Sequence, residues 1–425
     1  MRPSELWKSY EIILLSKGLI NVNQPRAKLW TKDFTIVSGV NFFVTLVFYL
    51  LIVIIGVYAV DEFNASTSQA GLVTGIFIVG SLIGRLLIGR FIESIGRKRT
   101  LIIGAVFFIL TLLLYFLNFG ITFLLITRLL HGIAAGMVGT ATGTIVAQII
   151  PASRKAEGIG YFSMSATLAT AIGPFIGLYM TQHTDFQMIF IFSLVLGIIS
   201  LITAFFVNVP QLEGSPQPTE TKGFKLSNYI EPKALPIAVI TLVVAFCYSS
   251  VLSFINFYAI EIDLVSAASF FFLVYSIAVL LSRPLTGRIM DLKGANYIMY
   301  PCIIAFAGGL FLLSTASVNI ILLAAGVLIG LGFGNLQSST QAIAVKLTPP
   351  HRMGLATSTF FIFLDAGLGF GPYILGFFIP LTGYRTLYVI LGAVVLASMV
   401  LYYFLHGKKE LPRRNMVKEP TPGTH

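Results

Sequence analysis

The stretch GRFIESIGRKR, from Gly89 to Arg99, lies between two long apolar segments and carries four basic residues, one acid and two glycines. A second stretch, GRIMDLKGAN from Gly287 to Asn296, repeats its glycine, basic and acidic positions 198 residues later. Such polar stretches stand out because the chain is 56% hydrophobic and only 11% charged, whereas a soluble protein carries about 25% charged residues. The composition therefore predicts a protein that is solvated by lipid.

Twelve apolar segments are long enough to cross a bilayer, for which a helix needs about 20 residues. They cover residues 34–59, 69–88, 100–118, 121–148, 158–180, 187–208, 235–259, 266–287, 297–316, 318–346, 354–379 and 384–406. We therefore predict an all-α integral membrane protein with twelve transmembrane helices.

The segment 209–233 separates the first six apolar segments from the last six. It is rich in proline, glycine and residues of both charges, which is typical of a linker. We predict two pseudo-symmetric six-helix bundles, at residues 34–208 and 234–406. Residues 1–33 are expected to form a cytoplasmic arm, either as an amphipathic helix on the membrane surface or without regular structure. Residues 407–425 are expected to form a cytoplasmic tail.

Basic residues are concentrated in the loops after the second, fourth, eighth and tenth segments and in both terminal stretches, whereas the opposite loops are mainly acidic. An excess of lysine and arginine marks the cytoplasmic side of a membrane protein. Both termini and the Gly89–Arg99 stretch are therefore predicted to be cytoplasmic, and the short loops are typical of a bacterial cell-membrane protein. The same distribution accounts for the net charge of +11 without a nucleic-acid partner.

A constant offset of 198 residues relates the two halves, without a gap, from Arg85 to Pro174. The aligned pairs are Arg85 and Arg283, Gly89 and Gly287, Arg90 and Arg288, Glu93 and Asp291, Gly96 and Gly294, Gly132 and Gly330, Gly136 and Gly334, Pro151 and Pro349, Arg154 and Arg352, and Gly173-Pro174 and Gly371-Pro372. The repeat predicts two bundles of the same topology. Parallel repeats of this kind occur in secondary transporters, which bind substrate between the halves.

The Gly89–Arg99 stretch resembles the motif between helices 2 and 3 of the major facilitator superfamily, Gly-x-x-x-Asp-x-x-Gly-Arg-Lys/Arg. Gly89, Gly96, Arg97 and Lys98 match this motif, and Glu93 stands where aspartate is usual. The resemblance covers about residues 34–406. It implies a carrier that alternates between inward-facing and outward-facing forms, as the twelve-helix drug–proton antiporters of this superfamily do.

We interpret the two polar stretches as a cytoplasmic gate that holds one of these forms. Its residues are Gly89, Arg90, Glu93, Gly96, Arg97, Lys98, Gly287, Arg288 and Asp291. Glycines let helix ends approach closely, and Glu93 is expected to accept hydrogen bonds from Arg97 or from backbone amides of a neighbouring helix. The alternative is that the cations only set the topology.

Arg128 lies in the fourth segment, about 10 Å from its outer end at 1.5 Å per residue, where an ionisable side chain is costly. The surrounding RLLHG resembles the helix-4 motif Arg-x-x-x-Gly of the drug–proton antiporters, which implies that Arg128 takes part in proton coupling. An arginine that extends to the outer surface is the alternative. His131 shares a helix face with Arg128, and for it both a proton site and a purely hydrogen-bonding role remain open.

Asp365 lies about 16 Å along the eleventh segment at helical rise, near the bilayer centre. It is opposite Thr167 in the repeat and has apolar neighbours in FFIFLDAGLG. A lone carboxylic acid there is expected to be protonated much of the time, because burial disfavours the charged form, and such a group is suited to proton coupling. The alternative is a neutral acid bonded to a neighbouring helix. The first segment, 34–59, contains no acid, so coupling through it is not expected.

The fifth segment contains Gly173-Pro174-x-x-Gly177, which resembles the antiporter signature Gly-x-x-x-Gly-Pro-x-x-Gly with alanine in place of the first glycine. Gly371-Pro372 repeats the pair in the eleventh segment. Proline removes a backbone hydrogen bond and glycine admits close packing, so these positions are predicted to let the helices bend and slide at the interface between the halves. In the family this signature marks exporters more than importers.

The resemblance also implies that helices 1, 4, 7 and 10 line a central cavity. Besides Arg128 and His131, its polar residues are predicted to be Asn41, Tyr248, Asn256, Asn335, Gln337 and Gln341. An aromatic and amide-lined cavity suits an amphipathic or lipophilic solute. We expect a monomer in the lipid bilayer that carries a small molecule and protons, with no cofactor and no metal.

Other classes of function lack their sequence signatures. The chain contains no phosphate-binding Gly-x-x-x-x-Gly-Lys-Ser/Thr of an ATP-driven pump, no Gly-x-Ser-x-Gly, and no histidines at metal-ligand spacing. An enzyme is not expected. The sequence predicts a secondary transporter that exports drugs or small amphipathic metabolites in exchange for protons. Import or uniport of an organic solute or anion, and dedicated export of a siderophore-like metabolite, are the alternatives.

Overall fold

The computed structural model describes residues 27–65, 67–210 and 228–410. Most of the arm, the linker and the tail that the sequence predicts lies outside these ranges. Within them every regular element is a helix, and eleven helices are long and apolar enough to cross a membrane. The all-helical membrane fold that the sequence predicts is therefore confirmed.

The helices fall into two sets of six. The first set is α1 (Lys32–Phe63), α2 (Thr67–Ile95), α3 (Arg97–Leu113), α4 (Ile121–Ile149), α5 (Lys155–His183) and α6 (Phe186–Phe205). The second set is α7 (Leu235–Glu261), α8 (Val265–Lys293), α9 (Asn296–Ser314), α10 (Asn319–Lys346), α11 (353–382) and α12 (384–402).

The twelfth helix is separated from the eleventh by a single residue. The stretch Met353–Tyr402 is helical throughout except at Gly383, where φ is 70° and ψ is 167°. Only glycine adopts this conformation readily. Gly383 therefore divides one long stretch into two membrane-length helices, and with this division the described residues contain the twelve spans that the sequence predicts.

The stretch Gly89–Arg99 is not a loop, although its polarity suggests one, but the end of α2 followed directly by α3. The helix α2 continues to Ile95, and only Gly96 leaves the helical conformation, with a φ of 94°. Gly294 follows α8 in the same way, with a φ of 96°. The acids of the two polar stretches consequently project from regular helices near their ends.

The two halves meet mainly along two pairs of helices, α2 with α11 and α5 with α8. Glycines allow these helices to approach closely. A Cβ atom on Gly287 would lie 2.6 Å from Cα of Glu157, and one on Gly89 would overlap the side chain of Ser358. Both contacts lie near the same end of the molecule. We call this end, which contains Gly96 and Gly294, the basic face.

The glycines of the two glycine–proline pairs pack against helices of their own half, whereas α5 and α11 themselves lie at the interface between the halves. Bending or sliding of these helices stays a prediction. A Cβ atom on Gly177 would lie 2.7 Å from the carbonyl oxygen of Leu50, and Gly173 packs against the same helix, α1. Gly371 contacts Ser249 of α7 in the equivalent way. The prolines that follow Gly173 and Gly371 are inside continuous helices. These glycines therefore bring neighbouring helices of one bundle together, because the sides of α5 and α11 that carry them face α1 and α7.

Candidate transport site and gate

An acid of each half binds the start of a helix in the other half at the basic face. Glu93 of α2 accepts a hydrogen bond of 2.7 Å from Nη2 of Arg97 and one of 3.2 Å from the backbone N–H of Gly354. Gly354 lies in the first turn of α11. The structure thus contains both kinds of hydrogen bond that the sequence predicts for Glu93.

The repeat reproduces this contact in the other half. Asp291 of α8 accepts hydrogen bonds from the backbone N–H groups of Ala156, at 3.0 Å, and Glu157, at 2.8 Å, in the first turn of α5. Ala156 and Gly354 are themselves related by the offset of 198 residues. A carboxylate at a helix N-terminus is stabilising, by about 0.3–1 kcal/mol when exposed and up to about 2 kcal/mol when partly buried. The two contacts together therefore favour the form in which the basic face is closed.

Arg97 is the most deeply placed cation of the predicted gate, with 5% of its surface exposed. Its Nη1 donates to Oε1 of Gln148 at 2.7 Å, and its Nη2 donates to the carbonyl oxygen of Pro350 at 2.7 Å. Arg97 therefore connects α3 and α4 of the first half to the segment that precedes α11. Three other predicted gate cations lie closer to the surface, namely Arg90, Lys98 and Arg288.

Removing the charge of either acid is expected to slow transport while membrane insertion stays normal, and Asp291→Asn should have the larger effect. The carboxylate of Asp291 accepts two cross-half amide bonds and also pairs with Lys346 at 2.7 Å, and its side chain is 5% exposed. Glu93 accepts one cross-half amide bond and is 26% exposed. We expect Asp291→Asn to lower the transport rate by roughly tenfold and Glu93→Gln by less.

The measurement is substrate uptake into membrane vesicles, normalised to the amount of inserted protein. Glu62→Gln is the matched control, since Glu62 is an exposed acid at the end of α1. Unchanged uptake in both Glu93→Gln and Asp291→Asn would leave the polar stretches with a role in topology only.

A cavity of about 210 Å³ lies between the two halves. Its wall is formed by α1, α2, α4 and α5 on one side and by α7, α10 and α11 on the other. Its polar side chains are Asn41, Thr45, Tyr49, Ser81, Arg85, Ser163, Gln337, Gln341 and Asp365. Small-molecule pockets usually measure about 300–1,000 Å³. The central cavity in this form is therefore smaller than a typical small-molecule pocket.

An ion pair in the cavity wall joins the halves at the level of the site. The carboxylate of Asp365 on α11 lies 2.7 Å from Nε of Arg85 on α2 and accepts a hydrogen bond of 3.1 Å from Oγ of Ser81. The guanidinium of Arg85 also lies 4.3 Å from the ring centre of Phe361. The expectation of a lone carboxylic acid at Asp365 is therefore wrong, because α2 supplies an arginine across the interface.

Arg85 was predicted only as a member of the internal repeat and not as a residue of the site. The available signal was that an arginine inside an apolar segment is costly and needs an anionic partner. Asp365 is the one acid inside the twelve apolar segments, but Arg85, Arg128 and Arg283 all lie in such segments, so the sequence alone does not identify which arginine is its partner.

Arg128 and His131 lie inside the first half, behind the cavity wall, and both are fully buried. Arg128 donates from Nε to the carbonyl oxygen of Val73 at 3.1 Å and from Nη1 to the hydroxyl of Tyr115 at 3.3 Å. Nδ1 of His131 lies 3.0 Å from the same hydroxyl. Phe77 covers Arg128, with 4.7 Å between the guanidinium and the ring centre, and itself lines the cavity. If Arg128 or His131 takes part in proton coupling, it acts on the cavity through Phe77 or Tyr115. A role in proton coupling stays a prediction for both residues.

Two residues that were expected to line the cavity are not part of its wall in this form of the protein. Tyr248 stacks on Phe333 with 3.9 Å between ring centres. Asn335 donates to Oγ of Ser282 at 2.8 Å and so bridges α10 and α8. Neither belongs to the cavity wall that the described residues form, because Tyr248 is stacked and Asn335 is hydrogen-bonded inside the second half. The side chain of Asn256, also predicted to line the cavity, lies outside the described part of the chain.

Comparison with known proteins decides the family. The model of the Major Facilitator Superfamily matches residues 37–315 and 264–424. The chain belongs to the major facilitator superfamily. Members of this superfamily are transporters and not enzymes, so the expectation of a transporter is confirmed.

The relatives of this transporter are distant. It is 26% identical over 369 residues to an uncharacterized MFS-type transporter of Methanocaldococcus jannaschii, covering 85% of this chain and 92% of that protein. It is 24% identical to Multidrug resistance protein 1 of Bacillus subtilis, covering 79% and 87%. Among solved structures, the human organic anion transporter MFSD10 has a TM-score of 0.72 at 15% identity, over 89% of this chain and all of that chain. That structural likeness supports the fold alone.

Proposed function

We propose that this transporter exports drugs or small amphipathic organic compounds from the cytoplasm in exchange for protons, and that Asp365 carries the proton. The observation that carries the proposal is the Arg85–Asp365 ion pair, which lies in the cavity wall and joins the two halves. A relative named for multidrug resistance supports the choice of cargo. The basic face is taken as cytoplasmic because it carries most of the positive charge.

The ion pair can couple protonation to a change of form. With a charged Asp365, the attraction to Arg85 holds α11 against α2, and the gate at the basic face is closed. A proton that reaches Asp365 from the outside neutralises the carboxylate and removes this attraction, so α2 and α11 are free to separate at the basic face. Buried charges that lose their partner are strongly destabilising. Arg85 then gains access to water and to the substrate.

The cycle closes when the inward-facing form exposes Asp365 to the cytoplasm. The proton leaves, the carboxylate is charged again, and the substrate occupies the cavity. Closure of the basic face restores the Arg85–Asp365 pair and the two acid–helix contacts of the gate. The proton and the substrate are then bound in turn in the same cavity. Exchange of the two in opposite directions requires this alternation.

The proposal is tested in everted membrane vesicles, in which the cytoplasmic side faces the medium. An acid interior is expected to drive accumulation of a fluorescent lipophilic compound, because protons leave as the compound enters. Nigericin, which exchanges protons for potassium and collapses the pH gradient, should abolish the accumulation. Accumulation that persists at full rate in nigericin would exclude proton exchange as the driving force.

A further inference from the structure

Arg283 is a buried arginine inside the membrane-spanning region that has no anionic partner among the described residues. Arg283 of α8 is 1% exposed, and its Nη2 donates to the carbonyl oxygen of Gly334 at 3.0 Å. Its Nε and Nη1 have no hydrogen-bond partner among residues 27–65, 67–210 and 228–410. A guanidinium carries five N–H donors, and burying it without an anion costs several kcal/mol. Because packing alone does not offset this cost, the burial of Arg283 indicates a functional role.

The internal repeat shows what is missing at Arg283. The equivalent residue in the first half is Arg85, which pairs with Asp365 across the α2–α11 interface. The residue that corresponds to Asp365 in the α5–α8 interface is Thr167, whose hydroxyl donates to the carbonyl oxygen of Ser163 at 3.3 Å. The second interface therefore keeps the arginine and lacks the acid.

The surroundings of Arg283 differ from those of Arg85 in a second way. The five residues Gly330–Gly334 of α10 form a turn of π-helix, whereas the equivalent residues of α4, 132–136, are regular α-helix. Single π-helical turns inside α-helices are frequent at functional sites. This turn supplies both the carbonyl oxygen that binds Arg283 and the ring of Phe333 that stacks on Tyr248.

The Arg283 cluster lies outside the wall of the central cavity and next to it along α7 and α10. Tyr248 lies one helical turn from Leu252 on α7, and Phe333 lies one turn from Gln337 on α10; Leu252 and Gln337 both line the cavity. Tyr248 also stacks on Tyr275 with 5.6 Å between ring centres. A positive charge beside a set of stacked rings can recognise an aromatic compound that carries an acidic group.

We propose that Arg283 binds an acidic group of the transported compound, a carboxylate above all, with the rings of Tyr248 and Tyr275 against its aromatic part. This inference rests on the proposed function in that it requires transport through the central cavity, but it does not depend on proton coupling. The N–H groups of Nε and Nη1, which have no partner among the described residues, lie on different edges of the guanidinium, and each can donate to a carboxylate oxygen. The transporter then prefers amphipathic acids and zwitterions to their uncharged analogues.

The test is equilibrium binding of a matched pair of probes to the purified protein in lipid nanodiscs. The probes are a tritiated quinolone carboxylic acid and the same quinolone as its carboxamide. The protein is expected to bind the acid at least about tenfold more tightly than the carboxamide, as one good charge-assisted pair allows. Arg283→Gln should abolish the preference, and Arg283→Lys should keep part of it.

Thr167→Asp keeps the inference testable if Arg283→Gln does not fold. The new carboxylate stands where the repeat places Asp365, so it should pair with Arg283, raise the thermal stability and prevent the acid from binding. Thr167→Asn is the uncharged control and should retain the preference for the acid. Equal binding of acid and carboxamide by the natural protein, or absence of acid binding, would overturn the inference.

The double variant Arg85→Gln/Asp365→Asn separates this inference from proton coupling. It lacks the proposed proton site and should lose gradient-driven transport, yet its preference for the acid should persist. A preference that disappears in this variant and persists in Arg283→Gln would place the acidic group on Arg85 and contradict the assignment to Arg283.

Discussion

Asp365→Asn is expected to abolish accumulation of substrate against its gradient while exchange of substrate down its gradient continues. Asparagine keeps a hydrogen-bonding group next to Ser81 but can neither carry the proton nor pair with Arg85. Removing one member of a buried pair costs about 3–5 kcal/mol, and we expect a smaller cost here because the two side chains are 12% and 17% exposed. The cost falls on the form in which the basic face is closed, so the variant should also shift toward the open form.

The matched comparison is a cycle of Asp365→Asn, Arg85→Gln and the double variant, measured by thermal unfolding in lipid nanodiscs. The double variant should be more stable than either single variant, since it leaves no unpaired charge. Glu261→Gln, which alters an exposed acid at the end of α7, should change neither stability nor transport. Additive losses in the cycle, or full uphill accumulation by Asp365→Asn, would contradict the proposed role of the pair.

Gly287→Ala is expected to block closure of the basic face. The added Cβ atom would lie 2.6 Å from Cα and 3.0 Å from the backbone nitrogen of Glu157, and this neighbour is backbone that cannot rotate away. Overpacking of this kind costs about 1–3 kcal/mol. A cost of that size changes the ratio of the two forms by roughly 5- to 150-fold, so transport should fall strongly although the protein still inserts.

The measurement is the distance between spin labels at Ser153 and Leu292, two exposed residues near the ends of α5 and α8. Gly287→Ala should lengthen it. The control is Gly308→Ala, because a Cβ atom on Gly308 would have no neighbour within 4 Å. An unchanged distance in Gly287→Ala would mean that α5 and α8 do not have to approach this closely.

The fold and the gate could be predicted because both correspond to patterns that are visible in the sequence. Apolar segments of membrane length give the helices directly. The offset of 198 residues pairs Glu93 with Asp291, and the structure shows each of them at the start of a helix in the other half. The Gly89–Arg99 stretch was nevertheless expected to be a loop because it is polar. A charged helix end that projects beyond the bilayer is equally polar, so polarity does not distinguish the two.

The site could be predicted only in part because membrane helices are apolar on two sides. One side of such a helix faces lipid and the other faces protein, so apolar periodicity does not identify the side that faces the cavity. Asn335 was assigned to the wrong side for this reason. The Arg85–Asp365 pair joins residues 280 apart in sequence, and only the packing of α2 against α11 brings them together.

Simultaneous measurement of substrate and proton movement in proteoliposomes tests the central claim most directly. The vesicles contain a pH-sensitive dye and either the natural protein or Asp365→Asn. With the natural protein, substrate added on the side of the basic face should enter as protons leave, and Asp365→Asn should show no proton movement. Substrate entry without proton movement in the natural protein, or equal proton movement in Asp365→Asn, would contradict the claim that Asp365 couples export to protons.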